Sequence, residues 1–217
     1  MKYDIQGGAS PVLICNLQGE ESVLTRGQNM SWMSPNIKVE AYSGKTSSRS
    51  FFSEKSIMNT RYTAIGGFGT IAFASTLPGE IIALKLDGTK DYLCQRTSIL
   101  ASTFDVVVSK YLNEKINTTL FGEDGFSIER VSGQGVIFLE TDGSVINYPL
   151  QAGQQIIVET GRVVMASGSC EFELRKQKDL NNPDKIVYNT IVTGPGIVLL
   201  QTMSPSKIAH EMQKRMK

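Results

Sequence analysis

Four times along the chain an apolar residue leads into a Gly-rich corner that opens onto a β-run, and this recurrence limits the possible folds more than any other feature. The copies are Ile5-Gln6-Gly7-Gly8 before Val12-Leu13-Ile14, Ile65-Gly66-Gly67-Phe68-Gly69 before Ile71-Ala72-Phe73, Val131-Ser132-Gly133-Gln134-Gly135 before Val136-Ile137-Phe138, and Val192-Thr193-Gly194-Pro195-Gly196 before Ile197-Val198-Leu199. Successive corners lie about sixty to sixty-six residues apart, the mark of a duplicated structural unit rather than of one active-site loop.

A second element recurs inside each interval. Leu17-Gln18-Gly19-Glu20-Glu21-Ser22-Val23, Leu86-Asp87-Gly88-Thr89-Lys90-Asp91-Tyr92 and Leu150-Gln151-Ala152-Gly153-Gln154-Gln155-Ile156 each set a leucine, a glycine turn and a β-run in the same order. Glycine tolerates the positive φ of a tight turn, so these stretches read as turns into a strand. Each then reaches a short apolar run ending in serine: Trp32-Met33-Ser34, Leu100-Ala101-Ser102 and Met165-Ala166-Ser167. The pattern predicts an all-β chain, built as double-stranded β-helix or β-sandwich units in a pseudo-threefold tandem repeat. Residues 1–202 are expected to form a single globular β-body of three fused repeats, about 3–62, 63–127 and 128–202, with the fourth corner closing the last.

Alternation supports the β assignment. In Asn36-Ile37-Lys38-Val39-Glu40-Ala41-Tyr42 and in Glu171-Phe172-Glu173-Leu174-Arg175 every second side chain is apolar, as a half-buried strand requires, whereas Glu80-Ile81-Ile82-Ala83-Leu84 and Gln155-Ile156-Ile157-Val158 read as buried on both faces. Phe51–Asn59 and Asn113–Ile116 carry no usable signal. A helix is expected only in the tail, 203–217. There Ser204 can cap, Pro205 suits the first turn, and Ile208, Met212 and Met216 recur on one face.

Composition narrows the function classes. Of the 217 residues 41% are hydrophobic, enough for a core, and the net charge of +1 gives little long-range attraction for a polyanion. The densest Lys/Arg group is the tail, from Lys207 to Lys217. DNA is therefore not expected as a partner, and RNA is disfavoured. No apolar run reaches the roughly twenty residues of a membrane span, and the start shows no apolar signal segment, so a cytoplasmic location is expected.

Residues able to carry chemistry are few. Cys15, Cys94 and Cys170 occupy non-equivalent places relative to the turn glycines and form no C-x-x-C pair, which favours reduced, structural thiols. The single histidine, His210, sits in the tail, so neither a His-rich metal site nor a Ser-His-Asp or Cys-His pair is expected. The Gly-x-Gly corners lead into strands rather than helices and so lack the dinucleotide-binding context. Glu20, Glu21, Glu140, Asp142 and Glu159 fall in turns or at strand ends, where solvated charge is the ordinary reading. Trp32, with Met30 and Met33, reads as core or as a contact between units. No catalytic, cofactor-binding or metal-ligating residue is assigned, no cofactor is expected, and the chain reads as a non-enzyme.

Several segments resemble a known family. Met30-Ser31-Trp32-Met33-Ser34-Pro35, Pro78-Gly79-Glu80-Ile81-Ile82, Phe121-Gly122-Glu123-Asp124-Gly125-Phe126, Val158-Glu159-Thr160-Gly161 and Thr193–Thr202 resemble, in the same order, bacterial members of the Altered Inheritance of Mitochondria twenty-four family. The resemblance runs from about Tyr3 to Thr202. It implies a β-helix-like body of fused units, similar in fold to the tryptophan RNA-binding attenuation protein, and it carries no catalytic residues. Val158-Glu159-Thr160-Gly161 has Glu where the family often has Asp, and the tail after Thr202 follows no family pattern. The expected function is a non-enzymatic binding or scaffold protein with a protein partner or self-association. A small-molecule or RNA-binding module, by fold analogy, is the alternative.

Overall fold

Five or six strands, hydrogen-bonded in one recurring scheme, account for the spacing of the glycine corners. The computed structural model describes residues 1–43, 57–111, 127–178 and 186–215. Residues 51–56, Asn113–Ile116 and the segment Phe121–Phe126 lie outside the described residues. The strands are β1 (Lys2–Gln6), β2 (Val12–Gln18), β3 (Ser22–Thr25), β4 (Trp32–Met33), β5 (Ile37–Ala41), β6 (Thr60–Ala64) and β7 (Phe68–Ala74), then β8 (Gly79–Asp87), β9 (Tyr92–Gln95), β10 (Ile99–Thr103), β11 (Val106–Lys110) and β12 (Ile128–Asp142). β13 (Val145–Leu150), β14 (Gln155–Glu159), β15 (Val163–Ser167), β16 (Glu171–Lys178), β17 (Ile186–Thr193) and β18 (Gly196–Gln201) follow, and α1 (Pro205–Arg215) ends the chain. The fold is all-β and its ladders are antiparallel, with one short C-terminal helix.

Within residues 12–74, β7 pairs with β2 and β4 while β6 pairs with β3 and β5. Within 145–201, β18 pairs with β13 and β15 while β17 pairs with β14 and β16. Between them the long β12 does both jobs: before Gly133 it pairs with β9 and β11, and beyond it with β8 and β10. Each set of strands is called a unit below. The expected boundaries at 62/63 and 127/128 fall inside β6 and just before β12, because a glycine corner bends the chain within a unit, whereas the links between units are β7–β8 and β12–β13.

Close backbone approach explains the corners. A leucine at or one residue before the end of the first strand of each unit faces the last glycine of the corner: Leu17 opposite Gly69, Leu86 opposite Gly135, Leu150 opposite Gly196. A Cβ at Gly69 would lie 2.7 Å from Ile37 Cδ1, one at Gly196 2.7 Å from Cys170 Sγ, and one at Gly135 would overlap Thr103 Oγ1. A hydroxyl clamps the same point in all three, since Ser34, Thr103 and Ser167 accept the N–H groups of Thr70, Val136 and Ile197 at 3.0, 2.9 and 3.0 Å. Ser34 and Ser167 are the serines picked out by sequence. In the middle unit Thr103 takes the role and the adjacent Ser102 is buried instead.

Two sequence features behave differently from their counterparts. Gly7-Gly8 joins β1 to β2 in a hairpin turn, with Ser10 N–H donating to Gly7 C=O at 3.2 Å, so this corner adds an outer strand and has no hydroxyl clamp. Gly88 and Gly153 carry positive φ (+83° and +77°), but in the first unit Glu20, at +66°, does so in place of Gly19. Gly19 and Gly153 nevertheless donate to the corner carbonyls of Gly67 (3.1 Å) and Gly194 (3.3 Å).

The apolar cores interlock. Leu13, Leu17, Ile71 and Phe73 of the first unit pack with Leu100, Ala101 and Phe138 of the second. The second unit's core in turn takes Leu24 from the first and Val164 and Met165 from the third. Fully burying a side chain of this size contributes roughly 1.5–3 kcal/mol.

Candidate functional site

The second strand of one unit pairs with the third strand of the next, and these joints define what is left open. β3 pairs with β10 through Leu24–Ser102 and Val23–Thr103, and β9 pairs with β15 through Cys94–Met165, Leu93–Ala166 and Tyr92–Ser167. Among the described residues the remaining second strand, β14, pairs only with β17, and the remaining third strand, β4, only with β7.

Trp32 shows what an open edge does. Trp32, Ala101 and Met165 hold matching places opposite the last strand of their units, facing Ala72, Phe138 and Leu199. Ala101 is 0% exposed and Met165 4%, because a neighbouring unit covers them, while Trp32 is 51% exposed. Trp32, expected in the core or at a contact between units, is instead half-exposed, because among the described residues β4 pairs only with β7. Other large exposed apolar side chains are Met30, Val39, Ile65 and Phe68 in the first unit and Ile146, Tyr148, Ile157 and Ile197 in the third, with Met212 on α1. Among the described residues the middle unit exposes none.

A cationic cleft of about 520 Å³ lies where the first two units meet, with Arg26, Arg96 and Lys110 around Glu129. The Glu129 side chain is 5% exposed and pairs with Arg26 through Oε1, leaving the buried Oε2 without a hydrogen bond among the described residues. Burial pushes the Glu129 carboxyl up, against the pull of Arg26. Such a cleft can hold a small anion beside a carboxylate that already has one cationic partner. Its lining residues come from five separate stretches of sequence and no motif marks them.

The other candidate residues take structural places. All three cysteines are buried and unpaired; burial pushes the Cys15 thiol up to about 12 and also raises Cys94 and Cys170, so each stays a neutral thiol. Glu21 receives the Met1 ammonium group, and Glu159 bonds both Arg162 and Lys207 at 2.8 Å. Glu140 departs from the solvated reading: burial, reinforced by Asp142, pushes its carboxyl up to about 7. Asp142 is raised by burial as well, while Gln201 Nε2 donates to its Oδ2 at 3.3 Å. No group of three or more His, Cys, Asp or Glu side chains that could hold a metal ion occurs among the described residues.

The comparisons with known proteins match this architecture. Residues 3–203 fit the family model described as Mitochondrial biogenesis AIM24. The chain belongs to the AIM24 family. Its fold is also that of a Streptococcus pyogenes protein of known crystal structure, with a TM-score of 0.77, 20% identity, and 99% of each chain covered. No curated protein matches.

In this AIM24 chain the tail stands beside an open edge. Helix α1 begins with Ile208 N–H donating to Ser204 C=O at 3.0 Å, and Lys207 ties it to Glu159 at the end of β14. Met212 is 58% exposed, so the apolar face expected from its spacing is still open there. The side chains of His210 and Met216 lie outside the described residues. None of the described helices is long and apolar enough to cross a membrane.

Proposed function

We propose that the protein is a non-enzymatic scaffold whose two end units hold protein partners. One observation carries this: the large exposed apolar side chains fall on the first and third units and the tail helix, while the middle unit exposes none among the described residues. Apolar side chains concentrated on particular faces mark contact sites, whereas catalysis calls for convergent polar groups. The net charge of +1 supports a protein partner over a nucleic acid. A cytoplasmic setting belongs to the same proposal, supported by three buried, unpaired thiols.

The test is capture from a cell lysate with the wild-type chain, with a Phe68→Lys/Ile197→Lys variant and with a middle-unit control, Lys85→Ala. Partners should bind wild type and control and be lost from the end-unit variant. Equal capture by all three, or none by any, refutes the reading.

The cationic cleft favours a second function, binding of a small anion. Calorimetric titration with pyrophosphate should show saturable heat that disappears in Arg96→Ala/Lys110→Ala. Heat that is absent, or that the variant retains, removes this reading.

A further inference from the structure

We propose that an oxyanion bound in the cleft between the first two units draws Arg26 away from Glu129, and that Glu129 then takes up a proton, so that the site binds a polyvalent anion of the diphosphate class together with one proton. The inference rests on the small-anion reading above and deepens it by naming the ligand class and the pH dependence of the site. In the exchange the hydrogen bond from Arg26 to Glu129 Oε1 breaks and one from Arg26 to the anion forms. A solvent proton bonds to the carboxylate that Arg26 has left.

Strand pairing sets the groups in one row. Cys94 on β9 and Lys110 on β11 both face Glu129 across β12. Arg96, two residues beyond Cys94, is anchored by its backbone N–H to Ser127 C=O at 2.7 Å. Arg26, directly after β3, donates from Nη2 to Glu129 Oε1. The next residue of β12, Arg130, pairs with Asp91 instead. Among the described residues no ion pair engages Arg96 or Lys110, so three cations line the cleft around one carboxylate and only Arg26 is tied to it.

The two members of that pair differ in freedom. The Arg26 side chain is 22% exposed and can turn toward a ligand, whereas the Glu129 side chain is 5% exposed and fixed in place. Glu129 Oε2 already lacks a hydrogen-bond partner among the described residues. Ile57 and Ile128 wall the same cleft, so the carboxylate gains no full hydration when Arg26 leaves. A buried carboxylate stripped of its cation is relieved by protonation. Burial already pushes the Glu129 carboxyl up, and Arg26 is the first of the groups that hold it down. Cys94 adds no charge, because burial and then Glu129 itself push its thiol up. An anion with a single charge competes with Glu129 for Arg26 on no better than equal terms. A polyvalent oxyanion outcompetes it, gaining Arg26 beside Arg96 and Lys110 with the carboxylate charge between them removed.

Calorimetric titration of wild type with pyrophosphate, repeated between pH 5 and pH 8 in buffers of different ionisation enthalpy, measures the protons taken up on binding. Pyrophosphate can gain a proton itself. Glu129→Gln retains that contribution and removes the one from Glu129, and unchanged circular dichroism confirms its fold. Wild type should take up more protons than the variant, by as much as one per site. Its affinity relative to the variant should fall as the pH rises, by up to about tenfold per pH unit, so that Glu129→Gln binds more tightly at pH 8.

A second readout needs no variant. The infrared difference spectrum of wild type with and without pyrophosphate should gain a protonated-carboxyl band and lose a carboxylate band. Three results each overturn the proposal while leaving the anion reading intact, provided the heat is saturable and is lost in Arg96→Ala/Lys110→Ala. They are equal proton uptake by wild type and Glu129→Gln, binding by Glu129→Gln that is no tighter at pH 8, and no new protonated-carboxyl band. No saturable heat from wild type at any pH refutes both.

Discussion

The middle unit and the two end units share one pairing scheme but differ in what covers them. β9 and β10 both have strand neighbours in adjacent units, and every large apolar side chain described in residues 79–142 is at least partly covered. Among the described residues β4 and β14 have none, and Trp32 and Ile157 stand more than half exposed. The difference teaches that a repeated sequence pattern specifies a unit, while exposure depends on where that unit stands in the row. Changes in the middle should therefore act on stability, and changes at the ends on association.

The hardest test of that contrast is Gly135→Ala. Its φ of +137° and the overlap of a new Cβ with Thr103 Oγ1 add backbone strain to overpacking, together about 3 kcal/mol, read as a lower urea midpoint. Trp32→Lys at an end should stay within about 0.5 kcal/mol of wild type. Equal losses would break the comparison.

Arg26→Ala probes the tie between the first and middle units. It leaves the buried Glu129 carboxylate without its ion-pair partner, so a loss of about 3 kcal/mol is expected at pH 8. The loss should shrink in acid, where Glu129 takes up a proton instead. A pH-independent loss would show that Arg26 acts through packing alone.

Glu140, also in the middle unit, gives a pH signature. Its carboxyl rises from 4.5 to about 7 in the folded chain, so folding favours the protonated form. The stability this gives is complete below pH 4.5 and is lost as the pH rises to about 7. Glu140→Gln should match wild type near pH 4 and be more stable by about 1–3 kcal/mol at pH 8. Chemical denaturation at the two pH values decides it, and a constant offset would contradict the burial argument.

The smallest expected effect compares two hydroxyl clamps. Thr103→Val removes the acceptor for Val136 N–H in the middle unit and should cost about 1–1.5 kcal/mol. Ser34→Ala removes the matching acceptor for Thr70 N–H beside the open edge, where water can replace it, and should cost about half as much. Thermal melts measure both, and a reversed order would mean that β4 is covered in solution.

The sequence by itself determined the local parts of this protein. Glycine is required wherever the backbone bends or approaches closely, so the corners at Gly69, Gly135 and Gly196, the facing leucines and the hydroxyls of Ser34 and Ser167 could be read from residue type and spacing. In the middle unit the repeated apolar run ends at Ser102, one residue before the hydroxyl that clamps the corner, because only the register of β10 on β12 selects Thr103. Tertiary structure alone decided the exposure of Trp32, the burial of Glu140 and the gathering of Arg26, Arg96, Lys110 and Glu129 into one cleft. Those outcomes depend on which strand edges meet between units, and pairing over long separations leaves no trace in local spacing.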